Sequence, residues 1–342
     1  MKKYFNLLVF VFCITSLYSF SEDDSKVGVK TLVFFDKSRD RPVITEVYYP
    51  SSRDLRNLEP TSNNFRIQEL RNAPLPNREK KLPLIVFSHG HMGNRYQMEW
   101  LQNFLAANGY IVAVPDHFGD TSYLQRPEDS LKRWDRPKDI SYVIDKILED
   151  PLFKHHIDAD KIGFVGFSFG GLTGVWLAGG VAKNYPEADL KASSKVELDR
   201  GINQDIIDKT DFSMGKKSYY DKRVKAGFLM APAYGFAFTE DGLSAIDIPI
   251  MIIAGQADRV VSSENNARYF ADNIKSSAVK ILPGKVGHYT FLNSNDPDRG
   301  YVIPPGQKDH NSVDREKVHE KVADEAIRFF DKYLKGQTNS KK

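Results

Sequence analysis

Ile162-Gly163-Phe164-Val165-Gly166-Phe167-Ser168-Phe169-Gly170-Gly171-Leu172 is the stretch whose reading decides the fold of this chain. The apolar run 162–165 suits a strand covered on both faces. It enters Gly166-x-Ser168-x-Gly170, and a second apolar stretch, 172–178, follows as a helix. Between strand and helix the turn at Ser168 must be so tight that side chains two residues to either side would collide, which requires glycine at 166 and 170. Such a turn lifts the serine oxygen above the sheet edge at a helix N-terminus, where free backbone N–H groups stabilise a negative oxygen. The plainer alternative is a glycine-rich turn with an incidental serine, but the strand and helix flanks favour a nucleophile.

Similar runs recur at 84–87, 111–114, 226–230, 250–254 and 279–282, with helical stretches between them. Residues 97–108 place Trp100, Leu101, Phe104 and Leu105 on one side and stop at Gly109. Residues 139–148 space Ile140, Val143, Ile144 and Ile147 helically, and 316–334 carry Val318, Val322, Ala326, Phe329, Phe330 and Tyr333 on one face. This alternation predicts an α/β fold with a mostly parallel central sheet and helices on both faces. Upstream, 29–35 and 43–49 read as an antiparallel hairpin around the turn 36–40. Residues 51–82 read as a polar surface excursion. Residues 181–222 are polar and Lys-rich, and read as an insertion that is a candidate lid or cap.

The chain has 342 residues, of which 41% are hydrophobic and 27% charged, close to the globular average, so disorder and fibrous folds are excluded for the whole. A net charge of +3 gives no electrostatic case for nucleic acid or for an anionic membrane surface. Lys2 and Lys3, a short apolar stretch and small residues at Ser19 and Ser21 have the form of a signal peptide over 1–21. The expectation is an exported protein, periplasmic or secreted, with one hydrolase-type domain over 22–342. Cys13, the sole cysteine, lies in the leader and follows Phe12, which argues against lipidation. The mature chain then has no disulfide, Cys-ligated metal or Cys nucleophile. No later run is long enough to span a membrane.

A serine hydroxyl needs a base. His288 in Gly287-His288-Tyr289 follows the last strand and reaches the same sheet edge. Asp258, four residues past the run 250–254, would fix its tautomer, whereas Asp272 and Glu264 fall in the following helix. The order Ser168, Asp258, His288 is that of the α/β-hydrolase fold. The oxyanion donors should be the backbone N–H groups of Phe169 and of His91, the latter in the loop Ser88-His89-Gly90-His91-Met92-Gly93. For His89 a packing role is expected. His310 and His319 read as surface residues, and His155-His156 as a solvated pair, not a metal site. Phe167, Phe169, Tyr234, Phe236, Tyr289 and Phe291 are candidates to wall the cleft, although for each a place in the core is the default reading. The chemistry expected is cleavage of a small-molecule carboxylic ester through an acyl-enzyme, with no metal or organic cofactor. The same groups would equally serve an amidase, a peptidase or a thioesterase. A third reading is a non-catalytic binding protein.

These residues resemble the α/β-hydrolases described as predicted dienelactone hydrolases, which are similar to the platelet-activating factor acetylhydrolases. The resemblance covers most of residues 27–335. It rests on Ser88-His89-Gly90, Pro115-Asp116-His117, Arg136-Pro137-x-Asp139, Gly166-x-Ser168-x-Gly170-Gly171, Gly255-x-x-Asp258, Gly287-His288 and Asp314-Arg315-x-x-x-His319. It implies a triad of Ser168, Asp258 and His288, with oxyanion donors at His91 and Phe169. Dienelactone hydrolases proper use a cysteine where this chain has Ser168, and the family often has glycine where this chain has Met92. The 181–222 insertion has no counterpart in the resemblance.

Overall fold

A computed structural model describes residues 27–51, 69–77, 79–186, 201–294 and 303–337. The leader with Cys13, most of the 51–82 excursion and the middle of the 181–222 insertion lie outside the described residues.

Among the described residues nine strands form one sheet: β1 Val27–Asp36, β2 Arg41–Pro50, β3 Glu69–Arg71, β4 Leu82–Ser88, β5 Ile111–Pro115, β6 Ile157–Phe167, β7 Val224–Met230, β8 Ile250–Gly255 and β9 Ser277–Leu282. Their spatial order is β3-β1-β2-β5-β4-β6-β7-β8-β9. Only β2 opposes the rest, pairing antiparallel with β1 and β5. The expected hairpin is therefore present. Inside the 51–82 excursion the sequence reading missed β3, whose three residues add to the edge beside β1.

The apolar strands are buried on both faces because period-2 alternation sends neighbouring residues to opposite layers. In β4, Leu84 and Val86 join a core with Trp134, Ile140, Val143, Ile147, Leu172 and Trp176, under the helices Asp135–Glu149 and Phe169–Leu177. Ile85 and Phe87 join the opposite core, with Trp100, Leu105, Phe329 and Phe330 on the helices Glu99–Ala107 and Arg315–Leu334. Pro137 stands in the first turn of its helix, where its missing N–H has no partner to lose. Two readings need correction. β9 is an edge strand with Ala278, Val279 and Lys280 exposed, so it is not covered on both faces. Tyr333 is 42% exposed, and Leu334 takes the buried place beside it.

Parallel pairing aligns the strand ends. Ser88 sits opposite Gly166, Phe167 opposite Met230, and Gly255 opposite Leu282. The loops after β4, β6, β7, β8 and β9 therefore open at one edge, where ligands of such sheets bind.

Candidate active site

Ser168 is the turn between β6 and the helix Phe169–Leu177, with φ 54° and ψ −112°. An L-residue at positive φ is strained, and such strain persists only where the surroundings over-determine it. Here the Ser168 N–H donates to the Met230 carbonyl at 3.0 Å. The Ser168 carbonyl accepts from Gly171, Leu172 and Ala233 at 2.9, 3.2 and 3.1 Å. A Cβ on Gly166 would strike the Gly170 carbonyl, and one on Gly170 would strike the Ser88 carbonyl. Glycine is thus required on both flanks. The second collision shows that the chain leaving β4 passes directly against the turn. Of the six described non-glycine residues at positive φ, Met92, Ser168, Ala231 and Tyr234 lie on loops at this edge, so backbone strain concentrates there.

His288 and Asp258 meet as expected. His288 Nδ1 lies 2.7 Å from Asp258 Oδ2, and the two residues are 5% and 8% exposed. Asp258 Oδ1 accepts the N–H groups of Val260 and Val261 at 2.9 and 2.8 Å, which leaves Oδ2 to orient the imidazole. The His288 ring lies 4.8 Å from the ring of Phe167, the residue before Ser168. The Ser168 hydroxyl and His288 do not share a hydrogen bond in this arrangement; such bonds often tighten only when substrate binds. The rival acids are placed elsewhere: Glu264 pairs with Arg268 on the surface, and Asp272 is exposed.

The His91 ring lies 4.9 Å from that of Phe169, which brings the loop after β4 beside the serine. Neither the His91 N–H nor the Phe169 N–H meets an acceptor among the described residues, so both are free to serve an oxyanion. The His91 side chain contacts Asp120, with Nδ1 2.7 Å from Oδ1. Among the candidate wall residues, Phe167 and Phe291 are core. Phe169 and Tyr234 meet edge to face at 5.1 Å, and Phe236, 48% exposed, stacks on Tyr234 at 5.4 Å. Tyr289 is half-buried. Ile202 from the 181–222 insertion lines a small cleft with His91, Met92, Asp120 and Arg126.

His319 is the residue the sequence reading misplaced. It is fully buried and stacks on Trp100 at 4.0 Å, and its Nε2–H donates to the Thr290 carbonyl at 2.8 Å. Burial pushes it down to about 3, so it is neutral. Arg315 donates to the carbonyls of Leu292 and Asn293 at 3.3 and 2.8 Å. Together they tie the segment after His288 to the C-terminal helix. The spacing Arg315-x-x-x-His319, one helical turn, was the available signal. His310 is exposed, as expected, and so is His155; His156 is half-buried.

A serine held at a strained strand-to-helix turn on this mostly parallel sheet defines a serine hydrolase of the α/β-hydrolase fold. Residues 96–337 match the prolyl oligopeptidase family, and the chain belongs to that family. Residues 44–130 also match platelet-activating factor acetylhydrolase, isoform II, in line with the resemblance seen in the motifs. Dipeptidyl-peptidase 5 of Porphyromonas gingivalis is 28% identical over 214 residues; the match takes in 60% of this chain but 30% of that one. The putative esterase YitV of Bacillus subtilis is 24% identical over 279 residues, covering 75% of this chain and 92% of that one. A ferulic acid esterase from Streptomyces cinnamoneus superposes with a TM-score of 0.62 at 21% identity, covering 92% of each chain, and shares the fold.

Proposed function

We propose that the protein is an exported esterase that cleaves carboxylic esters through Ser168, His288 and Asp258. The observation that carries this reading is the 2.7 Å His288–Asp258 contact at the edge where the strained Ser168 turn stands beside two unused N–H groups. Ser168 Oγ attacks the ester carbonyl while His288 Nε2 takes its proton. The oxygen that becomes negative is held by the N–H groups of His91 and Phe169. His288 then protonates the leaving alcohol, and water releases the acyl group by the same route. Asp258 stays ionised, fixes the tautomer and stabilises the imidazolium.

Ester over peptide is supported by coverage. The putative esterase is matched along 92% of its length, the dipeptidyl-peptidase along 30%. A peptidase remains the second reading because the family is that of prolyl oligopeptidase. Nitrophenyl esters of increasing chain length, assayed beside matched anilides and thioesters, separate the two. The esterase reading expects ester turnover to exceed anilide turnover, and the reverse order would reject it.

In this proposal residues 1–21 are a cleaved signal, 22–342 one hydrolase domain, and 181–222 a cap. The cap is supported by Ile202 at the cleft and by Phe212 and Met214 against the core. No helix among the described residues is long and apolar enough to cross a membrane. N-terminal sequencing of the exported protein should begin at Glu22, and a retained leader would contradict the signal assignment.

A further inference from the structure

Three of the motifs, Ser88-His89-Gly90, Pro115-Asp116-His117 and Arg136-Pro137-x-Asp139, supply no member of the triad. The fold gathers them into one buried network beneath the loop that carries the His91 N–H. Ser88 Oγ lies 2.8 Å from His117 Nε2, and His117 Nδ1 lies 2.9 Å from Asp139 Oδ2. This is a second Ser-His-Asp relay, with all three residues fully buried. Ser88 ends an ordinary strand and is fully buried, so the relay has no access to substrate.

The relay's polarity is fixed by its ends. Asp139 accepts from Arg41 at 2.9 and 3.0 Å and from Arg39 at 2.8 Å, so it is an ionised carboxylate. Burial opposes that charge, but Arg41, His117 and Arg39 hold the carboxyl well below its usual range. Burial, with the Arg136 charge adding to it, pushes His117 down to about 4. A neutral His117 donates from Nδ1 and accepts the Ser88 hydroxyl at Nε2. Its backbone N–H donates to His89 Nε2 at 3.1 Å, and His89 Nδ1–H donates to the Gly90 carbonyl at 2.7 Å.

Arg136 is 2% exposed and spreads its donors over the same loop. Nη1 donates to the His89 carbonyl at 2.7 Å, and Nη2 donates to the Gly90 carbonyl at 3.2 Å and to Asp120 Oδ2 at 2.6 Å. Asp120 Oδ1 accepts the Met92 N–H at 3.0 Å. The consequence follows from the planarity of the peptide. The Gly90 carbonyl and the His91 N–H belong to one trans unit and point in opposite directions. Pulling the carbonyl toward Arg136 and His89 turns the N–H away from them. The next unit is held by Asp120 through the Met92 N–H, so the donor is bracketed on both sides.

We propose that Arg136 and Asp120, braced by the Ser88–His117–Asp139 relay, are positioning residues that aim the His91 N–H at the oxyanion. The inference rests on the esterase reading above. A planar guanidinium can hold two carbonyls and a carboxylate at once, whereas an ammonium cannot reproduce that fork. Removing one oxyanion donor costs roughly a hundred- to a thousandfold in kcat. A misaimed donor retains part of its effect, so Arg136→Lys and Asp120→Asn should each lower kcat by about ten- to a hundredfold. KM should stay within about threefold, since the loss falls on the transition state.

The test measures kcat and KM for nitrophenyl acetate, together with the affinity of a trifluoromethyl ketone whose adduct with Ser168 carries an oxyanion. A non-fluorinated ketone of the same shape serves as the ground-state control, and thermal melting reports folding. The expected result is that trifluoromethyl ketone affinity falls in step with kcat/KM while control binding is unchanged. If kcat/KM falls but trifluoromethyl ketone affinity does not, or if both variants keep the unaltered kcat, the proposal is overturned. Should Arg136→Lys fail to fold, Asp120→Asn and Ser88→Ala carry the same comparison. If the unaltered protein forms no adduct and turns over no ester, the esterase reading itself fails, a result distinct from any variant outcome.

Discussion

Ser168 reaches its position through the atoms around it. Its carbonyl takes three N–H donors, and glycine is demanded on both flanks by the Gly170 and Ser88 carbonyls. Gly170→Ala should therefore destabilise the fold by about 1–3 kcal/mol and reduce activity as the turn moves, measurable by urea denaturation beside an ester assay. Asp258→Asn keeps the shape but not the acceptor that orients His288, and kcat should fall by about ten-thousandfold with little change in melting temperature. A loss under tenfold would point to another acid. These residues were legible in the sequence because each sits at a fixed offset from a strand end, where steric and topological rules act on few atoms. His319 was not legible. Helical periodicity marks it as lying near the apolar face, but only the arrival of Trp100 from a distant helix decides that it is sealed.

At the scale of elements, the helix Arg315–Leu334 holds the His288 segment through Arg315 and His319 while burying Phe329 and Phe330 against the sheet. His319→Phe would keep a ring on Trp100 but leave the Thr290 carbonyl without its donor. The expected cost is about 1–3 kcal/mol in urea denaturation, with a severalfold fall in kcat as His288 loosens. Unchanged kcat with lowered stability would separate the helix from the site. The strands of the sheet interior could be read from composition alone, since burial on both faces leaves an unbroken apolar run. The edges could not. β9 has an apolar run yet is half solvated, and β3 is three residues whose pairing depends on β1, a partner invisible to a local pattern.

Across the molecule, His89, His117 and His319, three of the four buried histidines among the described residues, shape the response to acid. Burial lowers His89 well below its ordinary value, His117 to about 4 and His319 to about 3. The folded state thus refuses protons that the unfolded chain accepts from about pH 6.5 downward. Their contribution to stability is complete above that value and falls with acidification, each histidine costing about 1.4 kcal/mol per pH unit between its unfolded and folded values. Urea midpoints should drop steeply between pH 6.5 and 4. A flat profile there would mean that these histidines are not held neutral. The buried network and the proposed site share one consequence: among the described residues Ser88, His117 and Asp139 are hydrogen-bonded in series and sealed, and in the proposed function Ser168, His288 and Asp258 are the set that meets substrate. Reaction with a fluorophosphonate followed by peptide mapping tests that assignment most directly. The account predicts a single modified serine, Ser168, with labelling lost in Ser168→Ala and the fold retained; modification at Ser88 or another serine, or none at all, would contradict it.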